Sequence, residues 1–185
     1  MGHPDAELIR RWQEGDGVAF EELVRRWQGP IARFLARQVG RTELVADLCQ
    51  EVFLRVFRAG PRYRAEGAFS TWLYQIALNV ARDAGRRRRR QPEPLSDHEP
   101  AQPGRSEAAC EQKELAAAVA RALAELPAPQ REVLVLRHYE GMHFEEIARV
   151  VGTPASTLKS RFAAALDRLR VRLKQLGWCN EEMKR

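Results

Sequence analysis

Between Tyr63 and Arg90 the sequence spaces polar groups as one face of a helix would carry them. Gln75, Asn79, Arg82 and Arg86 step by four, three and four residues, and the strip runs into five consecutive arginines, 86–90. Amides and guanidiniums can hydrogen-bond base edges, and guanidiniums also clamp phosphates. Tyr63, Phe69 and Trp72 lie just ahead of the strip. Aromatics beside cations suit an unpaired strand, because stacking is worth about 1–3 kcal/mol per base while the cations neutralise the backbone. By its spacing, Trp72 reads as a core residue before it reads as a stacking platform.

A second constellation occupies residues 144–170, which have the spacing of a helix-turn-helix. Ala148 is small where two helices must cross. Gly152 stands where a tight turn wants positive φ. Leu158 supplies the buried anchor of the second helix, and Ile147 and Phe162 extend the apolar seam. Thr153 is expected to cap that helix, with Pro154 in its first turn. Ser156, Thr157, Lys159, Ser160 and Arg161 then cluster at the end that enters a major groove in this motif. Hydroxyls and a helix N-terminus suit phosphates, and Lys and Arg suit phosphates and guanine edges.

Helical periodicity dominates the elements that must position these groups. A first helix is expected from about Pro4 to Glu14. A second begins near Gly17 and passes Pro30, which should kink or split it. A third starts with Thr42 as N-cap. The fourth is the strip-bearing helix, with Ser70 as N-cap and Phe69 and Tyr74 as a hydrophobic staple. In the third, Val45, Leu48, Val52 and Val56 form a core stripe, while Asp47, Gln50, Glu51 and Leu54 fall on another face that suits docking or plain solvation. Residues 91–106 contain four prolines and one glycine, so they read as an extended linker. A helix at about 107–125 follows, with Leu115, Val119, Leu123 and Leu126 on one stripe. PQREVLVLRHYEG then forms a helix closed by Gly141. The fold class is therefore all-α, with two small helical domains joined by a flexible linker: 1–90, an acidic connector 91–113, and 114–185.

Charge follows the same division. The net charge of +6 is made of +6 over 1–90, −3 over 91–113 and +3 over 114–185. Basic blocks suit a polyanion such as nucleic acid or an anionic membrane surface. There is no apolar run long enough for a membrane span and no signal-peptide core at the N-terminus. The three cysteines are far apart, which excludes a disulfide framework and a zinc ribbon and points to the cytoplasm. The four histidines have no metal spacing, and no P-loop or Ser/His/Asp pattern occurs. No cofactor, metal or catalytic group is expected.

DLCQEVFLRVF, FSTWLYQIALNVARD and LAELPAPQREVLVLRHYEGMHFEEIARVVGTPASTLKSRF, in this order and separation, resemble the extracytoplasmic-function group of bacterial sigma factors over nearly the whole chain. The resemblance implies a region 2 helical bundle at 1–90 and a region 4 helix-turn-helix at 114–185. It implies that Asp47, Gln50, Glu51 and Leu54 dock on the β′ subunit of bacterial core RNA polymerase, within an assembly that also includes β. Arg64, Phe69, Asn79, Arg82, Asp83 and Arg86 would melt and read the −10 element of promoter DNA. Ser156, Thr157, Lys159, Ser160 and Arg161 would read the −35 element as duplex. The acidic connector would lie in the polymerase's RNA path, and an anti-sigma factor would hold the protein inactive. Two positions depart from the family pattern. His143 stands where a Ser or Thr cap is usual, and Ala163–Ala165 leave the middle of the recognition helix bare.

Two rivals remain at this stage. A stand-alone helix-turn-helix regulator explains 144–170 but not the docking face or the aromatic, basic helix. An arginine-driven membrane- or RNA-binding protein leaves the helix-turn-helix unexplained.

Overall fold

The computed structural model describes residues 4–64, 67–90 and 107–178. The proline-rich linker 91–106, His3, His98 and Cys179 lie outside the described residues. Every described element is helical: α1 (Pro4–Gln13), α2 (Gly17–Val39), α3 (Val45–Ala59), α4 (Phe69–Arg90), α5 (Glu107–Glu125), α6 (Ala128–Leu134), α7 (Phe144–Val151) and α8 (Ala155–Gln175).

Helix α1 carries Asp5 and Glu7 in its first turn and Arg10 and Arg11 in its last, which complements the helix dipole. Asp16 caps α2 by accepting from the Val18 and Ala19 amides at 3.0 and 3.3 Å. Pro30 does not split α2, which runs unbroken to Val39. An interior proline costs about 3 kcal/mol. Ile31, Phe34 and Leu35 follow it and are fully buried, and each such side chain returns about 1.5–3 kcal/mol. Burial outweighs the proline.

Three expected caps are corrected. Thr42 opens a 3-10 turn, Thr42–Leu44, before α3, and makes no cap bond. Ser70 lies inside α4, whose first residue is Phe69; the Thr71 amide closes on the Ala68 carbonyl at 3.0 Å. Pro154 rather than Thr153 holds the cap position of α8, since its fixed φ already directs the chain into the first turn. The Phe69–Tyr74 staple is replaced by a shared neighbour, because both rings pack edge-on against Trp27 at 6.2 and 6.1 Å. On α5 the packed stripe is Ala118, Ala122, Leu123 and Leu126, with Val119 half-buried, whereas Leu115 is exposed.

After α6 the chain loosens into a π-helical turn, Val135–Tyr139, where the Glu140 amide reaches the Val135 carbonyl. Gly152 ends α7 at φ 74°, and its amide bonds the Ala148 carbonyl at 2.9 Å. At the other end of α7, Glu146 reaches back to the His143 amide at 2.8 Å and supplies what a Ser or Thr hydroxyl would not.

The two halves lie against each other. Helix α4 packs on α2 and α3 with one face and on α7 with another, and α2 also meets α5 and α6. One apolar core therefore includes Leu73, Tyr74 and Leu78 from the first half and Val133, Leu136, Ile147 and Val150 from the second.

Candidate nucleic-acid interface

Helix α4 is buried on two sides. Leu73, Ala77 and Val80 face its own bundle, and Tyr74, Leu78 and Ala81 are buried as well. What remains exposed is a strip, Gln75, Asn79 and Arg86, that continues into the arginine run. Three of the four residues of the expected face are thus open to solvent. Arg82 is not. Its Nε and Nη2 donate to both carboxylate oxygens of Glu132, in α6, at 2.8 and 2.7 Å. Glu132 thereby holds the Arg82 guanidinium above its ordinary range.

Asp83 is also engaged. It accepts from Arg55 at 3.1 Å and from Arg86 on its own helix. Burial opposes its ionisation, but the hydrogen bonds from Arg55 and Arg86 outweigh burial and hold its carboxyl below the usual value. Tyr74 donates to Glu140 from the second half. Its burial, and then that bond, push its hydroxyl well above the ordinary tyrosine range. Glu140 also pairs with Arg37 at 3.9 Å, and the Arg37 guanidinium lies 4.1 Å over the Tyr139 ring.

The loop ahead of α4 is an aromatic cluster. Tyr63 and Trp72 rings sit 4.4 Å apart, with Phe69 6.0 and 5.7 Å from them. Phe69 is buried, Trp72 and Tyr63 are half-buried, and Arg64 is exposed. Helix α1, which sequence reasoning gave no role, braces this loop. Gln13 donates to the Gly60 and Tyr63 carbonyls at 2.9 and 2.8 Å. Gly60 is required by close approach, because a Cβ there would stand 1.7 Å from the Trp12 ring. Ile9, Arg10 and Gln13 form one wall of a cleft of about 210 Å³, and Tyr63, Gly67 and Phe69 form the other.

On α3, Asp47, Gln50 and Leu54 are exposed and Glu51 is half-exposed. Gln50 and Leu54 border a mostly apolar cleft of about 420 Å³, with Phe20, Val24, Cys49 and Phe57. Phe57 is 54% exposed, the largest apolar surface on this helix. Burial pushes the Cys49 thiol up, so it is a poor nucleophile and packs as a small apolar side chain.

In the second half, Leu158 and Ile147 are fully buried and the Phe144 and Phe162 rings meet edge-on at 5.8 Å. That seam presents Ser156, Lys159 and Ser160 to solvent, with Thr157 and Arg161 half-buried. The Ser160 hydroxyl donates to the Thr157 carbonyl at 2.9 Å and keeps its acceptor lone pairs outward. Ala165 is fully buried, so one of the three alanines serves the core and only Ala163 and Ala164 leave the outer face bare. Among the described residues no helix is long and apolar enough to cross a membrane, and no group of three His, Cys, Asp or Glu is placed to hold a metal.

Sequence reasoning missed Arg55, Glu132 and Glu140. Glu51–Arg55 is a readable i,i+4 pair; the bonds from Arg55, Arg82 and Tyr74 to other helices leave no local signal.

Two family patterns match separate stretches of the chain. The Sigma-70 region 2 pattern matches residues 23–91, and the Sigma-70, region 4 pattern matches residues 116–169. The RNA polymerase sigma-H factor of Pseudomonas aeruginosa is 33% identical over 174 residues, 88% of this chain and 90% of that protein. The ECF RNA polymerase sigma-E factor of Haemophilus influenzae is 32% identical over 183 residues, 93% of this chain and 96% of that protein. Among solved structures, CnrH in complex with the cytosolic domain of CnrY superposes with a TM-score of 0.68 at 27% identity, covering 92% of this chain and 97% of that one. The sigma factor RpoE of Bartonella quintana, solved with the anti-sigma factor NepR, also gives 0.68, at 24% identity over 84% of this chain and 96% of that one, a likeness of fold.

Proposed function

The chain belongs to the sigma-70 family of RNA polymerase sigma factors, in its extracytoplasmic-function group, and from that membership we propose a division of labour among its residues. The protein directs core RNA polymerase to promoters. Residues 1–90 act as region 2, residues 91–113 as an acidic tether, and residues 114–185 as region 4.

Asp47, Gln50, Glu51 and Leu54 dock on the polymerase, and Phe57 adds apolar area to the same contact. Asn79, Arg82, Asp83 and Arg86 meet the −10 element, with Arg64 at the loop that receives an unpaired base and Phe69, buried against Tyr63 and Trp72, supporting that loop from below. Ser156, Thr157, Lys159, Ser160 and Arg161 meet the −35 element as duplex. The observation that carries this reading is the presence of two exposed polar surfaces of different chemistry, one in each half. The Gln75–Asn79–Arg86 strip runs beside an aromatic loop, whereas Ser156, Lys159 and Ser160 open a groove-binding helix. A stand-alone helix-turn-helix regulator has no use for the first.

The energetics support strand capture without fuel. Opening duplex DNA costs about 1.4 kcal/mol per base-pair step. Each base stacked on an aromatic returns about 1–3 kcal/mol. A few captured bases offset a few opened steps, so the protein needs neither ATP nor catalytic groups of its own. It acts in the cytoplasm, where the polymerase is. CnrH was solved with the cytosolic domain of CnrY, which supports a protein partner for this chain, and membership of the family makes an anti-sigma factor the expected kind.

Run-off transcription tests the reading. Bacterial core polymerase is mixed with the protein on a template carrying the promoter upstream of its own gene. A discrete transcript that requires the protein, and that an Asn79→Ala, Arg82→Ala variant able to bind core fails to produce, supports it. Binding of duplex DNA by a dimer, with no assembly on core, overturns it in favour of the regulator.

A further inference from the structure

Gln13, the last residue of α1, is fixed by two acceptors. Its Nε2 donates to the Gly60 carbonyl at 2.9 Å and to the Tyr63 carbonyl at 2.8 Å. A side-chain amide has two N–H donors and one carbonyl oxygen, whereas backbone carbonyls only accept. The amide therefore cannot turn over without losing both bonds. Both donors are engaged, and Oε1 is what Gln13 has left to offer. The side chain is exposed and stands in the wall of the cleft of about 210 Å³ between α1 and the loop ahead of α4.

The rest of that cleft suits a nucleobase. Ile9 and Phe69, 5% and 6% exposed, give it an apolar floor. Its volume lies below the roughly 300–1,000 Å³ of drug-sized pockets and fits a single ring system. Arg10, also in the wall, has its guanidinium engaged by Glu7 and Glu14, both at 2.7 Å, so the cleft offers a phosphate little charge. The Tyr63 hydroxyl donates to the Gly67 carbonyl at 3.4 Å, which leaves its lone pairs outward. Asp5, 2% exposed, adds a carboxylate. Apart from Arg10, the polar lining is made of acceptors.

We infer that Gln13 is a specificity-determining residue for the unpaired base received at this loop, and that its fixed Oε1 selects adenine or cytosine over thymine and guanine. Adenine and cytosine carry an exocyclic amine, a donor, where guanine and thymine carry a carbonyl. A carbonyl set against Oε1 leaves two acceptors facing each other without a proton between them. This rests on the reading of the loop as the receiver of an unpaired base. The region 2 pattern begins at residue 23, so α1 lies outside it and family membership gives Gln13 no role. One side chain both braces the loop, through its two N–H groups, and reads what enters, through its oxygen.

The test uses holoenzyme assembled from bacterial core polymerase and the full chain, bound to fork-junction DNA from the promoter upstream of its own gene. The duplex ends at the −10 element, whose strand is left unpaired. Each unpaired position carries adenine, cytosine, guanine, thymine or an abasic site in turn. One position should lose affinity on removal of its base and should prefer adenine or cytosine by about tenfold. Gln13→Ala should abolish that preference and leave base choice at the other positions unchanged. Gln13→Glu keeps an acceptor and removes both donors; it should weaken binding of all four bases and retain the preference. Gln13 is exposed, so both variants should keep native circular dichroism and core affinity. A preference that survives Gln13→Ala, or an equal loss for all four bases in that variant, makes Gln13 a brace alone; the inference is refuted and the loop reading stands. If no abasic site weakens binding, the loop reading fails and the role of Gln13 falls with it.

Discussion

Arg55 and Asp83 join the two working faces of the first half. The Arg55 guanidinium donates to Glu51 on its own helix at 2.7 Å and to Asp83 on α4 at 3.1 Å. Glu51 belongs to the proposed docking face and Asp83 to the proposed −10 helix. One side chain thus fixes the register of one face against the other.

Arg55→Ala should therefore cost little stability and more function. The pair is partly exposed, with side chains 33% and 28% accessible, so solvent screening keeps its contribution below about 1 kcal/mol. Run-off activity should fall by about tenfold while affinity for core falls much less, because α4 loses orientation, not contact. Equal losses in both measurements would mean that Arg55 serves docking alone.

The bond between Tyr74 and Glu140 gives the closed arrangement an alkaline limit. Tyr74 titrates above its unfolded value of about 10. Protonated tyrosine is favoured in the folded state, so this stability is complete below about pH 10 and drains as pH rises toward the raised folded value. Urea unfolding followed from about pH 8 to 11 should show a falling midpoint. Tyr74→Phe should cost about 1–3 kcal/mol of stability at neutral pH for the carboxylate left short of a donor, which lowers the midpoint, and should flatten the alkaline fall. The residual slope belongs to Tyr63, whose hydroxyl burial also raises. An unchanged slope in Tyr74→Phe would remove Tyr74 as its source.

Gly60 and Trp12 predict an overpacking defect at the base of the loop ahead of α4. A methyl at Gly60 collides with the Trp12 ring, and such insertions cost about 1–3 kcal/mol. Gly60→Ala should lower Tm by several degrees and loosen the loop that Gln13 pins. Protease cleavage near Tyr63 should accelerate with it. A wild-type Tm would mean that the Trp12 ring moves aside freely.

The fold was legible where local chemistry decides it. Val52 and Val56 on α3, Ile147 and Leu158 at the turn between α7 and α8, Pro4 at the start of α1 and Gly152 at that turn all lie where their spacing predicts. Caps were less legible. Thr42, Ser70 and Thr153 are good cap residues that go unused, because the packing of Phe69 and the fixed φ of Pro154 set those boundaries. Leu115 failed for a related reason: periodicity gives a face but not how far along a helix the neighbour reaches. The exposed parts of the candidate site, Asn79, Lys159 and Leu54, were readable as polar or apolar residues on otherwise buried helices. The partners of Arg82, Tyr74 and Asp83 were not. Separations of 50, 66 and 28 residues put those bonds beyond any periodic pattern.

Lys159 offers the sharpest separation of duplex reading from the rest. Its ammonium is exposed and lies 5.9 Å from the Phe144 ring, free to swing toward a backbone phosphate. Lys159→Ala should leave stability within about 0.5 kcal/mol, as surface changes do. If it meets a phosphate, duplex affinity should drop uniformly across sequences, and the slope of log affinity against log salt should shrink by about 1. If it instead reads a guanine edge, the loss should reach about 1–3 kcal/mol at one position of the −35 element. Single-strand binding and core affinity should not change in either case. A parallel loss of single-strand binding would mean that the two DNA surfaces are not independent, contrary to the division of the chain into two reading halves.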